Sequence, residues 1–348
     1  MRRESQNKEF PHPIPPQKHI GSQIQKRMEQ RRKYSDEELP TGVSQNGHHI
    51  GKLNVFEKMG RGCIKLFSRL PLSVLYVIAD TIYFFLYKVL SYRVKVVRAN
   101  LETVFPNKTD KERKEIERAF YHHLCDYFLE TVKALTISDE ELQKRMVIRN
   151  PELVEQIMEQ GRSVFCYAAH MGNWEWFTVW PLVFKPKFEI HAFYQSQSNN
   201  LANYITVETR TRRDIVAMDS KHAFRYTFKS IKDGAISLSL VIGDQCPHHG
   251  AQKKWIDFCG QDTPFLVGPE HISRKLKIAL FYPSFVSYRR GYYEIEFRLI
   301  AEKPEELGEG ECIKRFAAYL EDDLQRLPQL WLWSHRRWKL KHENFPNE

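Results

Sequence analysis

The first strongly apolar stretch of the chain, Cys63–Leu90, predicts a helix that associates with a membrane. Its dense part, Leu70–Leu90, has the roughly 20 residues that a helix needs to cross a bilayer. Asp80 and Lys88 interrupt it, and basic residues flank it on both sides, so the loop charges assign no orientation. This symmetry favours a helix that lies in one anionic leaflet. A buried helix of a soluble protein is the alternative.

A second long pattern, Asn107–Leu135, predicts an amphipathic helix capped by Thr109 or Asp110. Its adjacent His122 and His123 point in different directions, which favours a structural role over a pair of metal ligands. Apolar residues recur at helical spacing in this segment: Ile116, Phe120, Leu124, Phe128, Val132 and Leu135. The polar residues expected on its outer face are Glu112, Lys114, Glu117 and Glu130.

From Val147 onward, short apolar runs alternate with helical patterns, which predicts an α/β fold with a mainly parallel sheet flanked by helices. The predicted strands are Ser163–Ala169, Phe188–Tyr194, Ile215–Met218, Ile236–Ile242, Ala279–Ser287 and Tyr292–Ile300. A final amphipathic helix is predicted at Cys312–Arg326.

These patterns divide the chain into four parts. Residues 1–50 are polar and predict a disordered or loosely held tail, in which Gln23–Lys33 has the pattern of a basic surface helix. Residues 51–100 form the membrane-associated segment with its basic flanks, residues 101–341 form the α/β domain, and residues 342–348 form a short tail.

Composition narrows the possible partners. The 348 residues carry a formal net charge of +10, which calls for an anionic partner: a nucleic acid, a membrane surface, or an acidic protein or substrate. A charged fraction of 28% excludes a polytopic membrane protein. The six cysteines are scattered without a C-x-x-C pair, so we expect small core residues in a reducing compartment and predict no metal site. His248-His249, in a polar loop, is a weak metal candidate.

The candidate chemistry lies in Ala168–Glu175. His170 follows a predicted strand and precedes a Gly-Asn turn, at the sheet edge where sites form in α/β proteins. Histidine suits base catalysis at neutral pH. Glu175 lies in an apolar run, so it needs a partner, and a hydrogen bond from His170 would fix the histidine tautomer. Without a nearby nucleophilic Ser or Cys, this dyad would activate a substrate hydroxyl directly. Alternatively, Glu175 only favours a helix N-terminus and His170 is a structural loop residue.

Several motifs occur in a characteristic order: Arg98–Leu101 with Phe105-Pro106, Phe120–His123, His170–Glu175, Asp244-Gln245 and Trp331–Lys339. H-x4-E alone is a weak pattern, but the ordered set is specific. Over about Met59–Lys341, the chain resembles the H-x4-D/E acyltransferases of the glycerolipid type, and most closely the late acyltransferases of lipid A biosynthesis.

This resemblance implies a glycerolipid-acyltransferase-like fold at the cytoplasmic face of the inner membrane. It implies transfer of an acyl group from acyl carrier protein to a hydroxyl of a lipid A precursor, without a cofactor. His170 would be the general base, Glu175 its support, and Arg210 would stabilise the transition state. The substrate-binding residues carried over are Asn173, Arg212, Asp244, Gln245, Arg336 and Arg337. Asp244 would either hold Arg210 or touch the sugar headgroup.

Two departures from the family pattern leave the acceptor open. Tyr194 is followed by Gln195 where an arginine is frequent, and Thr209 replaces a common glycine. The chain could therefore act on another glycerolipid, aminolipid or glycolipid, or be a non-catalytic basic peripheral membrane protein. The segment Trp331–Lys339 interleaves aromatic and basic residues, which fits headgroup contact or core packing. It fits a nucleic-acid platform less well, and no nucleic-acid partner is predicted.

Overall fold

The computed structural model describes residues 53–345, so the predicted tail at residues 1–50 and its Gln23–Lys33 helix lie outside the described residues. The strands are β1 (Met146–Ile148), β2 (Val164–Ala168), β3 (Glu189–Tyr194), β4 (Ile215–Asp219), β5 (Ser237–Ile242), β6 (Lys253–Phe258), β7 (Gln261–Leu266), β8 (Ala279–Arg289) and β9 (Tyr292–Ala301).

The main sheet has seven strands in the order β1-β9-β8-β2-β5-β3-β4. Strands β8, β2, β5, β3 and β4 are parallel to their neighbours in that run. Strand β9 runs antiparallel to β8, because the chain reverses in a tight turn at Gly291, which has a φ of +71°. Strands β6 and β7 form a separate antiparallel hairpin. The predicted mainly parallel α/β sheet is confirmed.

The α-helices connect and cover these strands. They are α1 (Val55–Phe67), α2 (Leu72–Tyr83), α3 (Val94–Val104), α4 (Asp110–Lys133), α5 (Asp139–Arg145), α6 (Pro151–Glu159), α7 (Trp180–Val183), α8 (Asn200–Thr211), α9 (Ala223–Lys232), α10 (Gly268–Leu276) and α11 (Glu311–Arg326). A 3-10 helix at Trp174–Val179 precedes α7. Residues 342–345 of the predicted C-terminal tail include a 3-10 turn, His342–Asn344, which packs near β7.

Helix α4 begins with the predicted Thr109 cap, which forms a capping box with Glu112. The expected outer face is wrong at Glu117 and Glu130, which are 1% and 0% exposed. Glu117 is buried because Arg98, Lys114 and Tyr87 neutralise and hydrogen-bond its carboxylate. Conversely, Phe128, expected in the core, is 51% exposed.

The apolar segment forms helix α2, which continues as a π-helix over Phe84–Val89. By length and composition, Leu72–Val89 is able to cross a membrane, and only 22% of it is buried inside the protein. The exposed Val77, Phe84 and Phe85 make it unlike the core helix of a soluble protein. Asp80 is compensated by an ion pair with Arg290 (2.7 Å), which also binds Asp126. Of the two charges that interrupt the segment, Asp80 is thus paired within the protein although it is half exposed, and Lys88 is exposed.

The six cysteines have free thiols. Cys125, Cys166, Cys246 and Cys312 are buried, as expected of small core residues, whereas Cys63 is exposed and Cys259 is partly buried. Adjacent His122 and His123 point apart: His122 is exposed and stacks on Tyr83, and His123 is buried against the carbonyl of Gly172. The predicted structural reading of this pair agrees with these contacts.

Candidate active site

The site lies where the connections of two neighbouring central strands diverge. The chain leaves β2 towards β3 on one side and leaves β5 towards β8 on the other. Such a divergence opens a crevice at the carboxyl ends of the strands. Ala168 of β2 pairs with Ile242 of β5, and His170 and Asp244 each follow two residues later. The parallel register therefore places these two side chains next to each other.

His170 is bonded through both ring nitrogens. Nδ1 lies 2.6 Å from Oδ1 of Asp244, and Nε2 lies 3.3 Å from the side-chain nitrogen of Gln245. With Asp244 ionised, Nδ1 carries the proton and Nε2 keeps a lone pair, which the Gln245 amide meets. His170 is thus held in the tautomer that a general base requires, with the lone pair on Nε2 and Gln245 as its neighbour.

Asp244 is buried at 2% exposure, yet it is held in its charged form. Burial alone would raise its pKa, but His170 and the indole N–H of Trp331 (2.8 Å) donate to its two oxygens and lower it. Asp244 does not hold Arg210, because its two oxygens accept from His170 and Trp331. Its predicted contact with the sugar headgroup stays a prediction.

The predicted hydrogen bond between His170 and Glu175 is also not the one that forms. Both oxygens of Glu175 accept from Arg210, at 2.8 and 3.2 Å, in a bidentate ion pair in which each side chain is 12% exposed. Burial would lower the pKa of Arg210, but the charge and hydrogen bonds of Glu175 raise it above its usual value. The reason lies in position: the 3-10 helix turns Glu175 away from His170 and towards the end of α8.

An apolar pocket adjoins this ion pair. Its polar lining comes from Glu175, Arg210, Thr178 and His191, and its apolar lining comes from Trp174, Phe177, Trp180, Ile190, Ala192, Ile215 and Leu240. Trp174 lines the pocket and also contacts His170, because the two rings pack edge-on with their centroids 5.0 Å apart. Nη1 of Arg210 is buried without a hydrogen-bond partner among the described residues. The pocket therefore combines an apolar lining with one cationic N–H group, Nη1 of Arg210, that is available to donate a hydrogen bond.

Asn173, which was predicted to bind substrate, is engaged within the protein, and its contact with substrate stays a prediction. The side chain is fully buried, caps the 3-10 helix through Trp176 N–H, and donates to Glu130 (2.8 Å). Glu130 also accepts from the hydroxyls of Tyr76 and Tyr293. Asn173 therefore anchors the loop after His170 to helix α4.

Gly172 supplies the turn in this loop. Its φ is +58°, and a Cβ placed there would lie 2.3 Å from the ring of Phe285. Only glycine meets both demands, so the turn that follows His170 is specified by backbone conformation and by close packing.

The remaining predicted arginines divide between surface and core. Arg212 is exposed, and its Nη1 donates to the carbonyls of Ala134 and Ile137, just past the end of α4. Its predicted substrate contact stays a prediction. Arg337 is fully buried, donates to the carbonyl of Pro264, and lies 4.5 Å from the ring of Phe265. Burial lowers the pKa of Arg337 to about 10. Arg336, by contrast, is exposed. The predicted substrate contacts of both arginines stay predictions.

The C-terminal aromatic segment supports the site from behind. Trp331 and Trp333 are 3% and 0% exposed, which confirms the packing interpretation for these rings. The backbone of Leu332 bonds to the carbonyl of His170, and Nε2 of His335 accepts from the N–H of Cys246. Sequence reasoning did not assign Trp331 or His335 to the site. Their position in an ordered motif, far from His170 in the chain, was the only available signal.

Helix α4 contributes a further residue that the sequence did not reveal. Tyr127 stacks on Trp174 with centroids 4.2 Å apart, and Glu175 and Arg210 are among its electrostatic neighbours. Burial raises the pKa of the Tyr127 hydroxyl, so it stays protonated. Within residues 53–345, no group of three or more His, Cys, Asp or Glu side chains is arranged to hold a metal ion. His248 and His249 lie in an exposed loop, where His249 packs on Phe345.

Comparisons with known proteins identify the family of this chain. Residues 49–340 match the family described as bacterial lipid A biosynthesis acyltransferase. The chain is 24% identical, over 286 residues, to the lipid A biosynthesis palmitoleoyltransferase of Escherichia coli (strain K12), covering 81% of this chain and 90% of that protein. The same values relate it to a lipid A biosynthesis acyltransferase of Shigella flexneri. Because the family match spans most of the chain, the protein belongs to the bacterial lipid A biosynthesis acyltransferases.

Proposed function

We propose that this acyltransferase takes an acyl group from the thioester of acyl carrier protein and esterifies a hydroxyl of a lipid A precursor. The observation that carries the mechanism is the hydrogen bond from Nδ1 of His170 to the buried Asp244. Nε2 takes the proton of the substrate hydroxyl, whose oxygen attacks the thioester carbonyl. The C–S bond then breaks, and the proton passes from His170 to the leaving thiolate. The products are an ester and a free thiol.

Arg210 is the proposed partner of the developing oxyanion. Its Nη1 is an unused donor, and Glu175 fixes its planar guanidinium through two hydrogen bonds. A fixed donor in a site shielded from water stabilises negative charge without reorganising during the reaction. Glu175 is therefore a positioning residue for Arg210 in this proposal, and Asp244 is the positioning residue for His170.

The apolar pocket is the proposed site of the acyl chain. Its lining combines Arg210 with apolar side chains of the 3-10 helix and of β3, β4 and β5. The cavity now has room for about one water molecule (about 10 Å³), so an acyl chain would enter by displacing side chains on the face of these strands, with its carbonyl at Arg210. A substitution of Ala192 by Phe should shorten the pocket and shift donor preference towards shorter chains by about tenfold in kcat/KM. Transfer assays with donors of different lengths, with Ala192→Gly as the control, measure this preference.

Location follows from the exposed apolar surface. The family and the apolar helix Leu72–Val89 indicate membrane association. We place the enzyme at the cytoplasmic face of the inner membrane, because an acyl carrier donor is found in the cytoplasm and the acceptor lies in the membrane. Exposed Phe84 and Phe85 would enter the leaflet, and basic Lys88 and Lys95 would contact lipid phosphates.

The decisive experiment is acyl transfer in membranes that contain this chain, with an acyl carrier thioester and a tetra-acylated lipid A precursor carrying Kdo (3-deoxy-D-manno-octulosonic acid). We expect a penta-acylated product from the wild type and a loss of about a hundredfold or more with His170→Ala. The matched control is His122→Ala, which alters an exposed histidine of α4. Acylation of a different lipid would refute the acceptor and leave the chemistry intact. Full activity of His170→Ala would refute the mechanism.

A further inference from the structure

Helix α9 presents a continuous stripe of aromatic and basic side chains to solvent. Phe224, Arg225, Phe228 and Lys232 follow the helical spacing, Lys221 lies in the 3-10 turn Ser220–His222 just before the helix, and all five are exposed. Phe224 and Phe228 are 40% and 49% exposed and stack on each other, with centroids 6.2 Å apart. We call this set of five residues the α9 stripe. Two large exposed rings on one short helix are unusual for a surface that faces only water.

The charge around the α9 stripe is positive. Lys275 of α10 lies over the ring of Phe224, 5.3 Å from its centroid, and adds a fourth cation to Lys221, Arg225 and Lys232. Two carboxylates lie beside it. Asp219 is engaged with Ser196 and with the N–H of Lys221, and Asp233 is exposed at the C-terminal end of α9. The stripe therefore complements a partner that is acidic and has an apolar spot.

The position of α9 separates it from the membrane-associated helices. Right-handed crossovers place the connection from β3 to β4 on one face of the sheet and the connection from β4 to β5 on the other. Helix α8 forms the first connection, and α1 packs against it. The 3-10 helix at Trp174–Val179 lies on that same face and binds α4, which packs against α2. Helix α9 forms the second connection, so its stripe belongs to the opposite face.

The stripe also begins at the edge of the sheet that carries the active site. Strand β4 ends at Asp219, which pairs with Tyr194 at the end of β3. The ring of Tyr194 lies 5.9 Å from the guanidinium of Arg210. A partner on the first turn of α9 would therefore sit beside Tyr194, whose ring contacts Arg210 of the pocket.

We propose that the α9 stripe is the docking surface for an acidic, soluble protein that carries the acyl thioester, with a carboxylate-rich helix laid along Lys221, Arg225 and Lys232. This inference rests on the proposed function for the identity of the cargo. Phe224 and Phe228 contact the apolar spot of the carrier, and the neighbouring cations of the stripe pair with the carboxylates of the carrier. Such a docking site holds the carrier on the face of the sheet opposite to the membrane-associated helices. The thioester then reaches the pocket around the sheet edge at Asp219 and Tyr194, while the lipid acceptor arrives from the membrane side.

The test compares the charge-reversal pair Arg225→Glu/Lys232→Glu with a matched pair, Lys111→Glu/Lys144→Glu, which exposes the same charge change on α4 and α5. Full-length proteins in detergent are titrated with fluorescently labelled, unacylated acyl carrier protein. Transfer is measured both with the acyl carrier thioester and with the same acyl group on pantetheine. We expect the α9 pair to weaken carrier binding and raise the carrier KM about tenfold or more, while kcat and transfer from pantetheine stay unchanged.

Each outcome has a distinct meaning. Equal carrier affinity in the wild type and the α9 pair would overturn the docking surface. Unchanged carrier binding with lost binding to anionic phosphatidylglycerol vesicles would overturn it in favour of a membrane contact. Carrier binding that depends on α9 without transfer of the acyl group to any lipid would support the docking surface and refute the proposed function. A loss of pantetheine transfer equal to the loss of carrier transfer would indicate damage to the site and overturn the inference.

Discussion

Asp244 and His170 are 74 residues apart in the chain, and their side chains lie 2.6 Å apart because β2 and β5 are parallel neighbours in register. The carboxylate that bonds His170 therefore follows a separate strand, β5, and does not come from the H-x4-E motif. Glu175, the motif carboxylate, instead neutralises and orients Arg210. The structure therefore contains two separate polar pairs, one between the residues that follow β2 and β5 and one between the 3-10 helix and α8.

Asp244→Asn should lower kcat by about a hundredfold or more, with little change in KM. The amide would donate to Nδ1, move the proton of His170 to Nε2 and remove the lone pair that acts as base. Rates measured over pH, together with thermal unfolding to verify folding, test this. Gln245→Ala is the control, because it removes the contact at Nε2 without changing the tautomer. Wild-type kcat in Asp244→Asn would exclude the assigned role.

Arg210→Met should destabilise the protein by about 3–5 kcal/mol, since it leaves Glu175 buried without its partner. The double variant Glu175→Gln/Arg210→Met should lose less stability than the single variant, because no unpaired charge remains. Activity should be lost in both. Denaturant unfolding gives the free energies. The single variant Glu175→Gln completes the cycle. If the loss of unfolding free energy in the double variant equalled the sum of the losses in the two single variants, the two side chains would not be coupled.

Gly172→Ala should cost about 1–3 kcal/mol and reduce activity, because it combines a left-handed backbone with a clash against Phe285. Gly161→Ala is the matched control: its φ is +86°, and nothing lies within 4 Å of an added Cβ. It should cost only the backbone penalty and leave activity intact. The difference in unfolding free energy between the two variants measures the packing contribution. Equal losses would show that Phe285 accommodates the methyl group.

Acid should destabilise the fold partly through His335. Burial lowers its pKa from about 6.5 to about 4, and the charge of Arg337 adds to that effect. As the pH falls from about 6.5 towards about 4, the unfolded chain takes up this proton before the folded chain does. The free energy of unfolding therefore decreases over this pH range. His335→Gln keeps an acceptor for the N–H of Cys246 and removes the titration. Its unfolding free energy should fall less steeply over this range. Parallel curves would contradict this.

The sequence by itself determined the local features. Alternating apolar runs predicted the strands, since a strand buried on both faces is continuously apolar. Thr109 and Glu112 specified the start of α4 through a capping box, and the apolar stretch before it predicted the exposed helix Leu72–Val89. His170 was recognisable because a histidine after a buried strand and before a Gly-Asn turn lies at the edge where sites form.

Only the tertiary structure decided which side chains meet. The bond between His170 and Asp244, the pairing of Glu175 with Arg210 and the burial of Arg337 all depend on strand order and packing between distant segments. Spacing along one segment cannot reveal these contacts, because a pair of neighbouring strands can be joined by any length of chain. Glu130 was expected on an outer helix face and Asn173 in contact with substrate. Both are buried for the same reason, because their partners come from other elements and satisfy their hydrogen bonds.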